Sequence, residues 1–326
     1  MKDKISPNDR IFLAGGTGMV GSAIRRTLVK QKYKNLLLPK RSQLNLLNSI
    51  DVKKWFIENK PSVVILAAAK VGGILSNSLY PGDFLIENLK IQTNIIESAW
   101  KVGVKRLLFL GSSCIYPKFC KQPIKEEFLL EGNLEKTNEY YAIAKIAGIK
   151  LCESLRTQYG FDAISLMPTN LYGPNDNYHP ENSHVIASLI RKFCIAKQKN
   201  LSEVICWGTG SVFREFLHVD DLAEAAIFCL KKWDPAENNA PKDSLGNPIN
   251  HLNVGTGKDI TIKELANKIS KTVNFKGKIV WDDSKPDGTP KKLLDVGRIN
   301  QLGWKAKINL DAGLKNTINE FNNLNI

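Results

Sequence analysis

The stretch Arg10-Ile11-Phe12-Leu13-Ala14-Gly15-Gly16-Thr17-Gly18-Met19-Val20-Gly21 decides the fold. Arg10 to Ala14 is a short, mostly apolar run that reads as a buried strand. An amphipathic segment from about Met19 to Lys32 reads as a helix. The glycines between them let the backbone turn tightly and approach a ligand closely. The helix N-terminus then offers free N–H groups and a partial positive charge to a pyrophosphate. The spacing is Gly-x-x-Gly-x-x-Gly. A glycine motif alone says little, and this one gains weight from the strand before it and the helix after it.

Working outward, Leu36-Leu37-Leu38 is a second strand that ends at Pro39-Lys40-Arg41-Ser42. In a dinucleotide fold this strand end faces the adenosine ribose. An acid there holds a 2′-hydroxyl, and a cation accommodates a 2′-phosphate. Lys40 and Arg41 favour NADP over NAD, with a solvated basic turn as the plainer alternative. Ser49 to Lys60 reads as a helix, and Val63 to Leu66 as a third strand. The small residues from Ala67 to Gly73 leave room for a cofactor in the crevice. A long amphipathic segment, about Pro81 to Val102, precedes a fourth strand, Leu107 to Leu110. This alternation means a parallel sheet with right-handed crossovers.

Strand four runs into Gly111-Ser112-Ser113-Cys114-Ile115-Tyr116-Pro117. If that stretch stays extended, Ser112 and Cys114 point the same way, into the carboxyl-end crevice. Ser112 can hydrogen-bond a substrate oxygen. A thiol is a usable acid or base, with a reference pKa near ~8.5. A polar loop from Lys118 to Lys136 leads to a helix carrying Tyr141-Ala142-Ile143-Ala144-Lys145. Positions i and i+4 share a helix face. The Lys145 ammonium is therefore expected beside the Tyr141 hydroxyl, lowering its pKa from ~10 and making it a proton donor and acceptor near neutrality. Tyr-x-x-x-Lys is also a common helix pair, so its neighbours decide its meaning.

Ala163 to Met167 is strand five, and Pro168 to Pro174 a turn-rich exit. Beyond Tyr172 the pattern loosens into a smaller substrate-binding lobe. Ser183 is the expected N-cap of a helix that also carries His184, the one histidine placed to reach a ligand. His218 and His251 read as structural.

The chain has 326 residues, 43% of them hydrophobic, enough for one and a half to two domains. Its net charge is +14. The lysines are scattered without interleaved aromatics, which argues against nucleic acid and fits phosphate-bearing ligands. The six cysteines form no Cys-x-x-Cys and no zinc spacing, so no metal is expected. The first ten residues lack an apolar signal core, and the longest apolar run, Val63 to Ala69, is too short for a bilayer. No membrane partner and a reducing cytoplasm are the expectations.

Together, Gly15-x-x-Gly18-x-x-Gly21, Ser112 and Tyr141-x-x-x-Lys145 resemble the extended short-chain dehydrogenase/reductases. AAAKVGGI, LLFLGSSCIYPK, YAIAKIAGIKLCES, MPTNLYGP, NSHVI, REFLHVDD and SKPDGTP with KLLDV resemble the branch acting on GDP-4-keto-6-deoxy-D-mannose. The resemblance implies an α/β fold: a Rossmann-type doubly wound parallel sheet with a smaller, partly discontinuous α/β lobe. Residues 1–172 and 216–256 would hold NADP(H), and 173–215 and 257–326 the GDP-sugar.

It further implies NADPH-dependent 3,5-epimerisation and 4-reduction by a homodimer that pairs the helices near Pro81–Val102 and Tyr141–Tyr159. Tyr141 would donate the proton at C4, supported by Lys145 and Ser112. Cys114 and His184 would be the base and acid at C3 and C5. Gly15, Gly16, Thr17, Gly18, Met19, Val20 and Gly21 would line the cofactor. So would Arg41, Ser42, Gln43, Leu44, Asn45 and Leu46, then Leu110, Gly111, Ser112 and Ser113, with Lys145, Pro168, Thr169, Asn170, Leu171 and His184. Lys192, Trp207, Arg214 and Asp287 would hold the GDP-sugar.

Lys192 stands where the family often has arginine, and a lysine cannot make the bidentate phosphate fork. Some members carry His-Arg in the glycine loop where this chain has Gly16-Thr17, so the 2′-phosphate rests more on Arg41. Other nucleotide-sugar epimerases or 4,6-dehydratases are the alternative reading. Dehydratases usually place Asp-Glu near where Ser113-Cys114 stand. A non-catalytic NADP-binding module would usually lack the Tyr or the Lys.

Overall fold

The computed structural model of the chain describes residues 3–324. Met1, Lys2, Asn325 and Ile326, the outer ends of the two expected lobes, lie outside the described residues. The first half runs β1 (Ile11–Ala14), α1 (Met19–Lys30), β2 (Leu36–Leu37), α2 (Ser49–Asn59), β3 (Val63–Leu66), α3 (Ile74–Leu79), α4 (Pro81–Lys101), β4 (Arg106–Leu110), α5 (Glu139–Tyr159) and β5 (Ala163–Pro168). The second half runs β6 (Asn170–Tyr172), α6 (Val185–Gln198), β7 (Glu203–Trp207), β8 (Phe213–His218), α7 (Val219–Lys232), β9 (His251–Val254), β10 (Asp259–Thr261), α8 (Ile262–Val273), β11 (Lys278–Asp282), β12 (Lys291–Lys292), α9 (Gly297–Gln301) and α10 (Leu310–Asn322).

Six parallel strands form one sheet in the order β2-β1-β3-β4-β5-β9. Alternate residues of β1 serve opposite faces, as the strand period requires. Ile11 and Leu13 pack with Ala23, Ile24 and Leu28 of α1 and with α7. Phe12 and Ala14 pack with Val52 and Phe56 of α2 and with Ile95, Ile146 and Ile149 of α4 and α5. With both faces covered, the strands read as unbroken apolar runs. The chain leaves β1 toward β2 and returns on the other side as β3. That reversal opens a crevice at the carboxyl ends of β1 and β3.

The later part builds around β8. It pairs with β10 antiparallel and with β12 and β6 in parallel. A separate parallel pair, β7 with β11, lies nearby in sequence. A third core joins Ile186, Ile190 and Phe193 of α6, Leu265 and Ile269 of α8, and Leu314 and Ile318 of α10.

Three local expectations are corrected. The Pro168–Pro174 stretch is not only a turn, because Asn170–Tyr172 pairs with Phe216–His218. That distant partner has no local signal. The residue at the N-cap of α6 is His184 rather than Ser183. His184 is extended (φ −74°, ψ 164°), and its carbonyl accepts the Ser188 N–H at 2.9 Å. Finally, the chain does not stay extended from Ser112 to Cys114. A short 3-10 turn spans Ser113–Ile115, and the Ser112 hydroxyl accepts the Cys114 N–H at 3.2 Å.

Candidate active site

The glycine turn fits a dinucleotide. Gly15 has φ +84°, and a Cβ there would sit 2.8 Å from the Ala68 backbone nitrogen. Only glycine meets both conditions. A Cβ on Gly21 would collide with the Gly15 carbonyl, so Gly21 lets α1 start close to the turn. Gly18 caps α1 without a side chain, and the first helical turn carries no acid. The helix therefore keeps its N-terminal N–H groups for an anion. At the end of β2, Lys40–Gln43 forms a closed turn. The Lys40 N–H donates to Gln43 Oε1 at 2.8 Å, and the Gln43 N–H donates back to the Lys40 carbonyl at 2.8 Å. Lys40, Arg41 and Ser42 are exposed there, whereas Leu44 is buried in the core and can offer a ligand only its backbone.

Across the crevice, α5 brings Tyr141 and Lys145 to the end of β4. Lys145 Nζ donates to the Leu110 carbonyl at 2.8 Å and lies 4.9 Å from the Phe109 ring centre and 5.8 Å from that of Tyr141. Burial lowers the Lys145 pKa to about 7. Burial also raises the Tyr141 hydroxyl, helped by Cys114, while Ser112 works against it. The expected lowering of Tyr141 by Lys145 is therefore reversed. Helix spacing foretold the pair, but desolvation outweighs a lysine that has itself lost much of its charge.

Cys114 is half-buried beside Tyr141. Its Sγ accepts from Asn138 Nδ2 at 3.3 Å and from Lys292 Nζ at 3.6 Å. Neither partner stood out in the sequence. Asn138 is the N-cap of α5, yet its side chain makes no cap bond. Lys292 arrives on β12, opposite Arg214 of β8. His184 is exposed at the entrance to α6, where partial desolvation by the surrounding chain and the Lys292 charge both lower its pKa. Lys292 thus acts on both expected proton-transfer groups.

Gly73 was read as room for a cofactor. It also makes room for the α6 entrance, since a Cβ there would sit 2.8 Å from the Ser183 carbonyl. Ser76 Oγ donates to Asn182 Oδ1 at 2.6 Å and fixes the same segment.

Thr169 and Asn170 both donate to the Glu215 carbonyl, at 3.2 and 2.8 Å. Beyond them, Lys192, Trp207, Arg214 and Asp287 gather at one rim. Lys192 Nζ lies 5.4 Å from the Trp207 ring centre, and Lys285 Nζ 5.8 Å. Asp287 accepts from the Thr209 N–H and hydroxyl at 2.9 and 2.8 Å, and its carbonyl accepts from Arg214 Nη2 at 3.1 Å. Half-exposed Trp207, close to two ammonium groups, offers a stacking surface beside anion-binding charge. Burial lowers Arg214, and Cys114 lies near enough to counter that shift. The rim is therefore continuous with the proton-transfer cluster. Among the described residues, no three His, Cys, Asp or Glu side chains gather to hold a metal, and no helix is long and apolar enough to cross a membrane.

Residues 11–247 match the family model described as the NAD dependent epimerase/dehydratase family. The GDP-L-fucose synthase of Escherichia coli (strain K12) is 55% identical over 314 residues, 96% of each chain. GDP-L-fucose synthase 1 of Arabidopsis thaliana is 54% identical over 317 residues, 97% of this chain and 93% of its own. Among solved structures, MlghC, a GDP-mannoheptose C4 reductase of Campylobacter jejuni with NADP bound, superposes with a TM-score of 0.86. It is 38% identical and is covered to 99% by 98% of this chain. The chain belongs to the NAD dependent epimerase/dehydratase family, the extended short-chain dehydrogenase/reductases, and within it to the GDP-L-fucose synthase group.

Proposed function

We propose that the chain converts GDP-4-keto-6-deoxy-D-mannose to GDP-L-fucose, epimerising C3 and C5 and then reducing C4. The observation that carries this reading is the meeting of two sets of groups in one crevice. Tyr141, Lys145 and Ser112 suit carbonyl reduction, and Cys114 with His184 adds acid–base chemistry that reduction does not need. The C4 ketone acidifies the protons at C3 and C5. Cys114 removes each proton, and His184 returns one on the opposite face of the sugar. Lys292 Nζ lies 3.6 Å from the Cys114 thiol and disfavours a charged His184, while the substrate diphosphate pulls His184 the other way. When bound, NADPH supplies the hydride for C4. Tyr141 gives its proton to the C4 oxygen, and Ser112 and Lys145 stabilise the phenolate left behind. Incubation with NADPH and a panel of 4-keto nucleotide sugars tests the reading. Turnover confined to a different sugar or base would overturn it.

Residues 1–172 and 216–256 serve as the NADP lobe, and 173–215 and 257–326 as the GDP-sugar lobe. The glycine turn and the Trp207–Asp287 rim support that division. Arg41 reads the 2′-phosphate, because the β2 end carries exposed cations and no acid. Arg41→Ala should weaken NADPH by roughly tenfold or more, the worth of one charge-assisted contact. NADH should be nearly unaffected, as fluorescence titration of both cofactors will show. Equal losses would remove Arg41 from that role.

The protein works as a cytoplasmic homodimer. Six free thiols suit a reducing compartment. Ile86 on α4 and Tyr140 and Ile143 on α5 are exposed on two helices that pack together, a self-complementary face for a two-fold axis. Ile143→Glu should sediment as a monomer while wild type sediments as a dimer.

A further inference from the structure

Tyr116 follows Cys114 by two residues on the same turn. Its ring is buried, and its hydroxyl donates to Asn253 Oδ1 at 2.7 Å. Asn253 is fully buried in β9. Its backbone N–H donates to Glu126 Oε1 at 3.0 Å, and its Nδ2 donates to the carbonyls of Ile124 at 2.9 Å and Asp295 at 3.2 Å. Ile124 in turn pairs with the segment that carries Lys292. The Ile124 N–H donates to the Leu293 carbonyl at 2.7 Å, and the Asp295 N–H to the Ile124 carbonyl at 2.8 Å. One amide therefore joins the Cys114 turn on one side to the Lys292 segment on the other.

A bland account would make this only a satisfied tyrosine. It leaves unexplained why the partner also bonds the Lys292 segment, which Gln122 holds at Lys291 and Leu293 and Glu215 at Leu294. We infer that Tyr116 and Asn253 are positioning residues that set the distance between the Cys114 thiol and the Lys292 ammonium, and through it the rate of epimerisation. The inference rests on Cys114 being a proton-transfer group. Burial holds the Tyr116 hydroxyl protonated, so it stays a donor throughout the working pH range.

Tyr116→Phe keeps the ring and removes the joint. Exchange of the C3 and C5 protons of the substrate in D₂O should fall about tenfold or more, the order expected for a small misplacement of a reacting group. In the protein alone, iodoacetamide should alkylate Cys114 more slowly, read by peptide mass spectrometry, because the Lys292 ammonium that lies 3.6 Å from its sulfur moves away. NADPH affinity should not change. Lys292→Met should slow alkylation equally, and the double variant should be no slower than either single one.

Wild-type alkylation in Tyr116→Phe, or fully additive losses in the double variant, would overturn the inference. Should Tyr116→Phe melt below the assay temperature, Lys292→Met carries the test. If it alkylates like wild type, Lys292 is not what the joint positions. Cys114→Ser in parallel separates the two claims. Unchanged exchange there defeats the reading of Cys114, whereas its loss beside a normal Tyr116→Phe defeats only the joint.

Discussion

Tyr141→Phe loses C4 reduction by ~10²-fold or more, the scale of a missing general acid, while NADPH binding stays near the wild-type value. The variant keeps the ring and its edge-on packing with Phe84, 6.4 Å between ring centres. Only the hydroxyl is removed. Burial already raises the Tyr141 pKa, so the hydroxyl is fully protonated at pH 7 and is a donor waiting for charge to develop on the C4 oxygen. Lys145, lowered to about 7 and anchored on the Leu110 carbonyl, gains most from being charged when a phenolate appears beside it. NADPH oxidation with the 4-keto substrate measures the loss, and fluorescence titration measures binding. A Tyr141→Phe variant that oxidised NADPH at a near-wild-type rate would exclude Tyr141 as the donor. Exchange of the C3 and C5 protons should survive, since it depends on other groups.

The sequence carries the first half of this machine well because its signals are local. A strand, four glycines and the start of a helix within twelve residues have few alternative folds, and β1, β3, β4 and β5 each end within about a residue of their expected limits. The second half is harder because its order comes from pairings across long gaps. Nothing near Asn170 announces a strand until Phe216 pairs with it. Nothing near Lys292 announces a functional lysine until β12 pairs with β8 and lays the ammonium 3.6 Å from Cys114. Charge was misjudged for a related reason. The i, i+4 spacing of Tyr141 and Lys145 is written in the sequence, but the loss of hydration around a buried Lys145 and a half-buried Tyr141 is not, and it decides the sign of both shifts. Ser112 and Cys114 do reach one crevice, by way of a 3-10 turn and not by strand alternation.

Cys114→Ser and His184→Gln test what separates this site from a plain reductase, and the expected loss is nearly complete. Epimerisation needs a group that takes a proton from carbon and another that returns one. Serine keeps the size and polarity of cysteine, but its hydroxyl is a far weaker acid than a thiol and yields almost no anion at neutral pH. Glutamine keeps hydrogen bonding at position 184 but cannot titrate. Both variants should still bind NADPH, His184→Gln with the loss of one lining contact, because the glycine turn, the Lys40–Gln43 turn and Lys145 are untouched. Each should lose exchange of the C3 and C5 protons in D₂O by ~10²-fold or more. The ketone then persists with its starting configuration, and Tyr141 can still protonate the C4 oxygen as hydride reaches C4. Slow formation of a 6-deoxy sugar unchanged at C3 or C5 is therefore expected when NADPH is present. NMR of the substrate in D₂O without NADPH isolates the proton transfers from the reduction. Deuterium entering C3 and C5 in Cys114→Ser as fast as in wild type would return Cys114 to the status of the other five cysteines, small thiols whose value to the fold is packing.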